Sequence, residues 1–236
     1  MIRTIYAAIR IIWGVIYVGL KLPKVKRLPN TLSVNERDKF IHQVPDYFGK
    51  MMIGVTGSKV EVKGLENIPK DQAVLFVSNH QSNFDIPLLM GYLNKPMGFI
   101  SKVELSKIPI VRQWMENMNC VFMDREDRRQ SLQAIKDGIA KLQNGHSLVI
   151  FPEGTRSKGD KMGEFKSGSF HLALKSGVPI IPLRINGTFN ILESNGNRIK
   201  PANISLEAFP PVNPAELGLT DPKAISSYVQ QIIEGK

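Results

Sequence analysis

The sequence predicts an α/β domain with a mostly parallel or mixed sheet flanked by helices, preceded by an N-terminal two-helix motif that associates with a membrane. Two observations carry this. From residue 58 onward, short apolar runs alternate with helical patterns, the order that builds strand–helix–strand units. Before it, residues 1–57 hold an apolar stretch broken only by cations and then a second helical stripe. The chain therefore divides into 1–57 and 58–236, and 236 residues suffice to bury one sizeable core.

The elements follow in order. Residues 4–20 are apolar apart from Arg10, and Lys21 closes the run. That stretch makes roughly 25 Å of helix against a hydrocarbon core of about 30 Å, so a full span is not expected. On a helical wheel Arg3, Arg10 and Lys21 share one narrow face, opposite Ile5, Ile9, Ile12, Ile16 and Leu20. A cationic seam facing an apolar stripe is the pattern of a helix lying in a membrane interface; the alternative is an amphipathic helix packed on the chain's own domain, and the second helix either docks there or joins the first at the membrane. Leu22-Pro23-Lys24 offers no small-residue cleavage site, which argues against a signal peptide. Residues 22–34, rich in Lys, Arg and Pro, read as a connector. In 35–57, Phe40, Ile41, Val44, Phe48, Met51, Met52 and Val55 recur at helical spacing, with Pro45 as the expected kink.

Strands are expected at 60–62, 73–78, 97–101, 120–123, 147–151 and 179–185, with a late one at 204–209. Helices are expected at 86–93, 112–117, 127–143, 167–176 and 222–233, and Gly145 and Gly177 follow two of them as stop signals.

The formal net charge of +10 favours anionic partners: nucleic acid, acidic lipid head groups or phosphorylated substrates. No aromatic-rich RNA-binding signature or zinc-finger spacing supports nucleic acid. Cys120 is the single cysteine, so neither a disulfide framework nor a Cys/His metal site is expected, and Cys120 reads as a small buried hydrophobe.

Sites in α/β sheets form where loops leave the strand ends, so chemistry is sought there. Asn79-His80-Gln81-Ser82-Asn83-Phe84-Asp85 follows the strand at 73–78. On one continuous helix His80 and Asp85 would stand about 140° apart, so pairing them requires a bend. A neutral imidazole takes a proton from an alcohol, and a carboxylate on its other nitrogen fixes the tautomer and stabilises the imidazolium. The competing reading is Asp85 as a helix cap and His80 as an ordinary loop residue. Phe151-Pro152-Glu153-Gly154-Thr155-Arg156-Ser157 follows the strand at 147–151. Gly154 permits close backbone approach, Thr155 and Arg156 supply donors for an oxyanion or phosphate, and Glu153 orients Arg156 or bonds a glycerol hydroxyl. A Pro/Gly turn with a solvated Arg is the alternative. Lys102 and Arg125 follow two further strands, and Phe165-Lys166-Ser167-Gly168 opens a helix whose N-terminus adds to an anion site or is simply capped at Ser167. No P-loop and no Gly-x-Ser-x-Gly elbow occurs, which argues against nucleotide binding and lipase chemistry.

In order along the chain, Asn-His-x4-Asp at 79–85, Val-Phe-Met-Asp-Arg at 121–125, Phe-Pro-Glu-Gly-Thr-Arg-Ser at 151–157 and Val-Pro-Ile-Ile-Pro-Leu at 178–183 resemble the four blocks of the glycerolipid acyltransferase family. The resemblance covers roughly residues 60–210 and is closest to members that acylate 1-acylglycerol 3-phosphate; the second block is a looser version. It implies His80 as general base, Asp85 as its partner, and Arg125 with Glu153, Gly154, Thr155 and Arg156 as the glycerol-phosphate site. Lys102 is similar to a phosphate-binding lysine of some bacterial members. The implied donor is an acyl thioester on acyl carrier protein or coenzyme A, and the implied acceptor is lysophosphatidic acid. No metal or other cofactor is implied, and the expected location is the cell membrane, monotopic or peripheral on its cytoplasmic face, against an anionic surface. The rivals are another acceptor (glycerol 3-phosphate, a different lysophospholipid or an acylated amino-lipid) and a non-catalytic basic membrane binder.

Overall fold

The computed structural model describes residues 1–29 and 31–235. Its elements are α1 (Ile2–Lys26), α2 (Val34–Gly54), β1 (Lys59–Lys63), β2 (Leu75–Ser78), α3 (Asp85–Tyr92), β3 (Gly98–Lys102), α4 (Pro109–Asn117), β4 (Val121–Met123), α5 (Arg128–Gln143), β5 (Leu148–Ile150), α6 (His171–Ser176), β6 (Ile180–Asn186), β7 (Asn203–Ala208) and α7 (Pro222–Glu234). The strands form one sheet in the order β1-β7-β6-β2-β5-β3-β4. From β6 to β4 all pairings are parallel, while β7 runs antiparallel to β6 and β1 runs with β7. The mixed sheet thus has five parallel strands whose C-terminal ends share one edge.

The strands alternate their side chains between two cores. Phe76, Val149, Ile181 and Leu183 pack with α3 and the end of α2 on one face, through Leu88, Leu89 and Ile53. Leu75, Val77, Leu148, Ile150 and Ile180 pack with α5, α6 and α7 on the other, through Ala134, Leu172 and Val229. Central β2 is covered on both faces, so all four of its residues are buried and its sequence reads as an unbroken run ending in Ser78. Edge strand β1 instead alternates exposed and half-buried residues.

The N-terminal helices differ from the sequence expectation in one respect. Residues 22–26 do not begin the connector; α1 continues through Pro23 to Lys26. A helical proline costs about 3 kcal/mol. Leu22 and Val25 extend the buried stripe of Ala7, Gly14 and Val18 and pack with Ile41 and Trp114. Two buried aliphatic side chains stabilise by roughly 1.5–3 kcal/mol each, which offsets the proline. At Gly14 a Cβ would lie 2.3 Å from Met51 Cε and 2.9 Å from Phe48 Cε2, so glycine lets these α2 side chains pack directly on α1. Trp114 Nε1 donates to Val18 O at 2.9 Å, and Arg3 Nη1 donates to Thr56 O at 2.7 Å. The face with the cations is therefore also the docking face, and Ile5, Ile9, Ile12, Trp13, Ile16 and Leu20 point outward.

Helix α2 starts at a capping box: Ser33 Oγ accepts from Glu36 N, and Glu36 Oε2 accepts from Ser33 N. Pro45 sits inside the helix as expected. At Gly49 a Cβ would stand 2.4 Å from Pro87 O, so α2 meets α3 backbone to backbone. That contact holds the helix whose first residue is Asp85.

Candidate active site

The site assembles along the shared C-terminal edge. At the end of β2 the Asn79 side chain continues the ladder: its Nδ2 donates to Ile185 O, and its Oδ1 accepts from Ile185 N, each at 2.8 Å. The chain then bends through 80–84 into α3, supplying the turn that the His80–Asp85 pairing requires.

Asp85 is fully buried. Its Oδ2 accepts from His80 Nδ1 at 2.7 Å, Gln81 N at 2.7 Å and Ser82 N at 2.9 Å, and its Oδ1 accepts from Thr188 Oγ1 at 2.5 Å. The pairing reading is realised and the helix-cap reading is not: the N-cap position of α3 is Phe84 without a side-chain cap bond, and the Asp85 carboxylate closes the turn before its helix while holding the imidazole. Four converging donors satisfy a buried carboxylate that would otherwise be costly. With Nδ1–H committed to Asp85, Nε2 carries the lone pair. No protein group among the described residues bonds Nε2, and the ring stacks on Phe151 with centroids 4.0 Å apart and planes at 19°.

The loop after β5 braces His80 from the other side. Glu153 Oε1 accepts from His80 N at 2.6 Å, and Oε2 accepts from Gly163 N at 2.7 Å. Ser157 N donates to His80 O, and Lys158 N donates to Gln81 O. Burial pushes the Glu153 carboxyl above its ordinary range, against the bonds from Gly163 and His80 that pull it down. Glu153 therefore does not orient Arg156. Arg156 Nη1 instead lies 3.2 Å from Glu193 Oε1.

The remaining expected residues sit at neighbouring strand ends. Gly154 is in the left-handed region at φ 73°, and its carbonyl accepts from Arg125 Nη1. Thr155 is exposed beside it. Lys102 ends β3 in register with Met123, two residues before Arg125, and its Nζ is 2.5 Å from Glu104 Oε1 in an exposed pair. Lys166 Nζ lies 2.9 Å from where a Cβ on Gly154 would stand, adding a cation here. Segment 167–170 opens as a 3-10 turn whose N-cap position is Lys166, without a side-chain cap, so Ser167 is not the N-cap.

Two residues here escaped the sequence reading. Thr188 follows Gly187, a left-handed glycine at the exit of β6, and a search of every parallel strand end would have reached it. Glu193 has no such marker. Its Oε2 accepts from Ser82 Oγ at 2.7 Å and its Oε1 from Asn83 N at 3.1 Å.

An apolar cavity of ≈ 300 Å³ lies between α1, α2, α3 and α4, lined by Val18, Phe48, Met52, Met90 and Trp114, with Asn83 of the catalytic turn at its wall. The arrangement combines an oriented base, cations at neighbouring strand ends and an apolar space beside the turn that carries the base. That combination suits proton abstraction from the hydroxyl of an amphiphile with an anionic head.

Comparison with known proteins agrees. The family model described as Acyltransferase matches residues 59–186. The chain belongs to the acyltransferase family. It is 33% identical over 215 residues to a probable 1-acyl-sn-glycerol-3-phosphate acyltransferase of Mycoplasma pneumoniae, covering 86% of this chain and 78% of that protein. It is 38% identical over 164 residues to a chloroplastic 1-acyl-sn-glycerol-3-phosphate acyltransferase of Arabidopsis thaliana, covering 69% of this chain and 46% of the plant protein. The chain thus spans under half the length of that plant relative. The crystal structure of the 1-acyl-sn-glycerophosphate acyltransferase of Thermotoga maritima superposes with a TM-score of 0.86 at 33% identity, over 98% of this chain and 92% of that one. The mixed sheet and the N-terminal helices are thus those of an acyltransferase fold, and its blocks at 79–85 and 151–157 are the segments that meet around His80.

Proposed function

We propose that this acyltransferase moves a fatty acyl group from a thioester to the sn-2 hydroxyl of 1-acylglycerol 3-phosphate, giving phosphatidic acid for phospholipid synthesis. The observation that carries the reading is the His80–Asp85 pair, held at 2.7 Å with Asp85 fully buried, next to strand ends bearing Lys102, Arg125 and Arg156. Relatives named for this acceptor support it.

In the proposed reaction His80 Nε2 takes the hydroxyl proton while Asp85 stabilises the imidazolium. The substrate oxygen bonds to the thioester carbonyl carbon, the C–S bond breaks, and the departing thiolate takes the proton from His80. No protein nucleophile, metal or other cofactor takes part. Lys102, Arg125 and Arg156 bind the acceptor's phosphate, Gly154 and Thr155 shape that pocket, and Glu153 holds the His80 backbone. The apolar cavity takes an acyl chain. The thiol carrier is acyl carrier protein or coenzyme A.

The proposed location is monotopic, on the cytoplasmic face of the membrane. Helix α1 is long and apolar enough to cross a bilayer by length and composition. Its contacts nevertheless run along the domain from Thr4, which accepts from Ile199 N, to Val25. A helix docked over that length lies beside a water-exposed domain, with its isoleucine face free to enter lipid.

The test is thiol release by purified protein, with acyl-CoA and acyl-carrier-protein donors against lysophosphatidate, glycerol 3-phosphate and a neutral monoacylglycerol. Phosphate-dependent acylation of lysophosphatidate is expected. Equal use of the neutral acceptor would overturn the phosphate site, and no transfer from either donor would overturn the reaction.

A further inference from the structure

The acceptor site contains a carboxylate that the proposed reaction does not use. Glu193, in the short helical turn after β6, has a side chain only 7% exposed, and its three partners all belong to the site. Ser82 Oγ donates to Oε2 at 2.7 Å; Asn83 N donates to Oε1 at 3.1 Å; Arg156 Nη1 lies 3.2 Å from the same Oε1. Ser82 and Asn83 are in the turn whose backbone bonds Asp85, so one carboxylate joins that turn to the arginine of the acceptor site.

We propose that Glu193 is the positioning residue that sets Arg156 for the acceptor's phosphate and ties that contact to the His80–Asp85 turn. The inference rests on the phosphate-site reading above. A long, half-exposed arginine left to itself samples many rotamers, and fixing it in advance lowers the entropy lost when the phosphate binds. Among the described residues Arg156 makes one side-chain bond, and that bond is single and fairly long. A guanidinium has five N–H donors, so most remain available for a bidentate phosphate contact while Glu193 holds the group in place. Two other carboxylates flank the turn, and neither can substitute. Asp85 is saturated by His80, Gln81, Ser82 and Thr188, and both oxygens of Glu153 are turned to His80 N and Gly163 N, with no bond to Arg156.

Glu193→Gln keeps the shape and can still accept from Asn83 N while its amide faces the rotatable Ser82 hydroxyl. It removes the charge that holds Arg156. The expected result is an acceptor KM raised about tenfold, the size of one charge-assisted hydrogen bond, with kcat lowered by a smaller factor and donor KM little changed. Glu193→Ala, which also frees the turn, should lower kcat more than Glu193→Gln does. The deciding measurement is the cycle of Glu193→Gln, Arg156→Ala and the double variant, assayed in detergent with lysophosphatidate varied and thermal melts run in parallel. In the Arg156→Ala background, Glu193→Gln should leave acceptor KM unchanged. Additive effects, or an unchanged acceptor KM in Glu193→Gln alone while Arg156→Ala raises it, would overturn the proposal. If Arg156→Ala itself leaves acceptor KM unchanged, the phosphate-site reading fails instead. Should Glu193→Ala not fold, the cycle still decides, because it does not use that variant.

Discussion

Thr188 Oγ1 donates to Asp85 Oδ1 at 2.5 Å, joining the exit of β6 to the start of α3 across 103 residues of sequence. Both residues are fully buried. This bond occupies the carboxylate oxygen that His80 does not use, so the Asp85 plane is fixed from both sides. Thr188→Val should therefore lower kcat roughly 10- to 100-fold, from loss of a hydrogen bond to a charged group worth about 1.5–3 kcal/mol. Thr188→Ser, which keeps the hydroxyl, should recover most of it. Unchanged kcat in a folded Thr188→Val protein would show that His80 and the two turn amides suffice to fix Asp85.

Base catalysis by His80 predicts that His80→Ala abolishes transfer without unfolding the protein. Asp85→Asn should cost a factor on the order of 10² to 10⁴, because an amide cannot stabilise the imidazolium and favours the wrong tautomer. Asp85→Asn also forces an N–H donor into a ring of four donors, so its melting temperature should fall as well. Near-normal turnover by folded His80→Ala protein would rule the mechanism out.

The His80–Asp85 pairing was legible because it is local: one strand, one turn, one helix start. The loop at 151–157 was legible because parallel strands deliver their exits to one edge, so polar residues after separate strands meet. Thr188 and Glu193 were not, since each reaches the turn across more than 100 residues and neither lies in a periodic pattern. Which face of α1 docks is hard to read from the sequence for a related reason. Ala7 and Gly14 carry little hydrophobic signal, yet Ala7 is fully buried and Gly14 meets Met51 and Phe48 of α2.

His42 on α2 supplies a pH-dependent term in stability. It is 7% exposed, its Nε2 bonds Met90 O, and its Nδ1 has no partner. Burial holds its pKa below the ordinary histidine value, against Asp46, the Met90 carbonyl and Asp38, which pull it up. The folded state therefore resists protonation that the unfolded chain accepts near pH 6.5. The stabilising contribution is present above that pH and is lost as pH falls toward and through the lowered folded value. Melts of wild type and His42→Gln between pH 7 and pH 5 should show the steeper decline in wild type. Parallel curves would contradict this assignment.

Cys120 lines the apolar cavity, and burial pushes its thiol up to about 12. Thiolate is the reactive form, so the native protein at pH 8 should resist maleimides and disulfide reagents and react fully only in denaturant. Rapid native-state labelling would mean that the cavity opens to water far more often than the packing of Phe48 and Trp114 suggests.

Membrane attachment should depend on the outward face of α1 more than on its cations. Ile9, Trp13 and Leu20 are 49%, 65% and 73% exposed, although α1 is docked along its opposite side. Each such side chain gains up to roughly 1.5–3 kcal/mol on leaving water, whereas a basic residue near an anionic surface contributes about 1 kcal/mol. The three cations are also unequal. Arg3 is bonded to Thr56 O, and Lys21 sits 4.9 Å from the Tyr17 ring centroid, so reversing either charge disturbs the helix as well as the surface. Arg10 is exposed and makes no such contact among the described residues, which makes Arg10→Glu the cleaner probe of charge. Ile9, Trp13 and Leu20 changed together to Ser should abolish binding to vesicles at any salt concentration. Arg10→Glu should weaken binding only to anionic vesicles, by about tenfold at low salt and less as salt rises. Both variants should keep activity on detergent-solubilised substrate, since Ile9, Arg10, Trp13 and Leu20 are exposed and none of them lines the cavity beside the His80–Asp85 turn. Vesicle binding that survives the apolar triple change, or protease reaching the two ends of α1 from opposite sides of a sealed vesicle, would replace the docked interfacial helix with a spanning one.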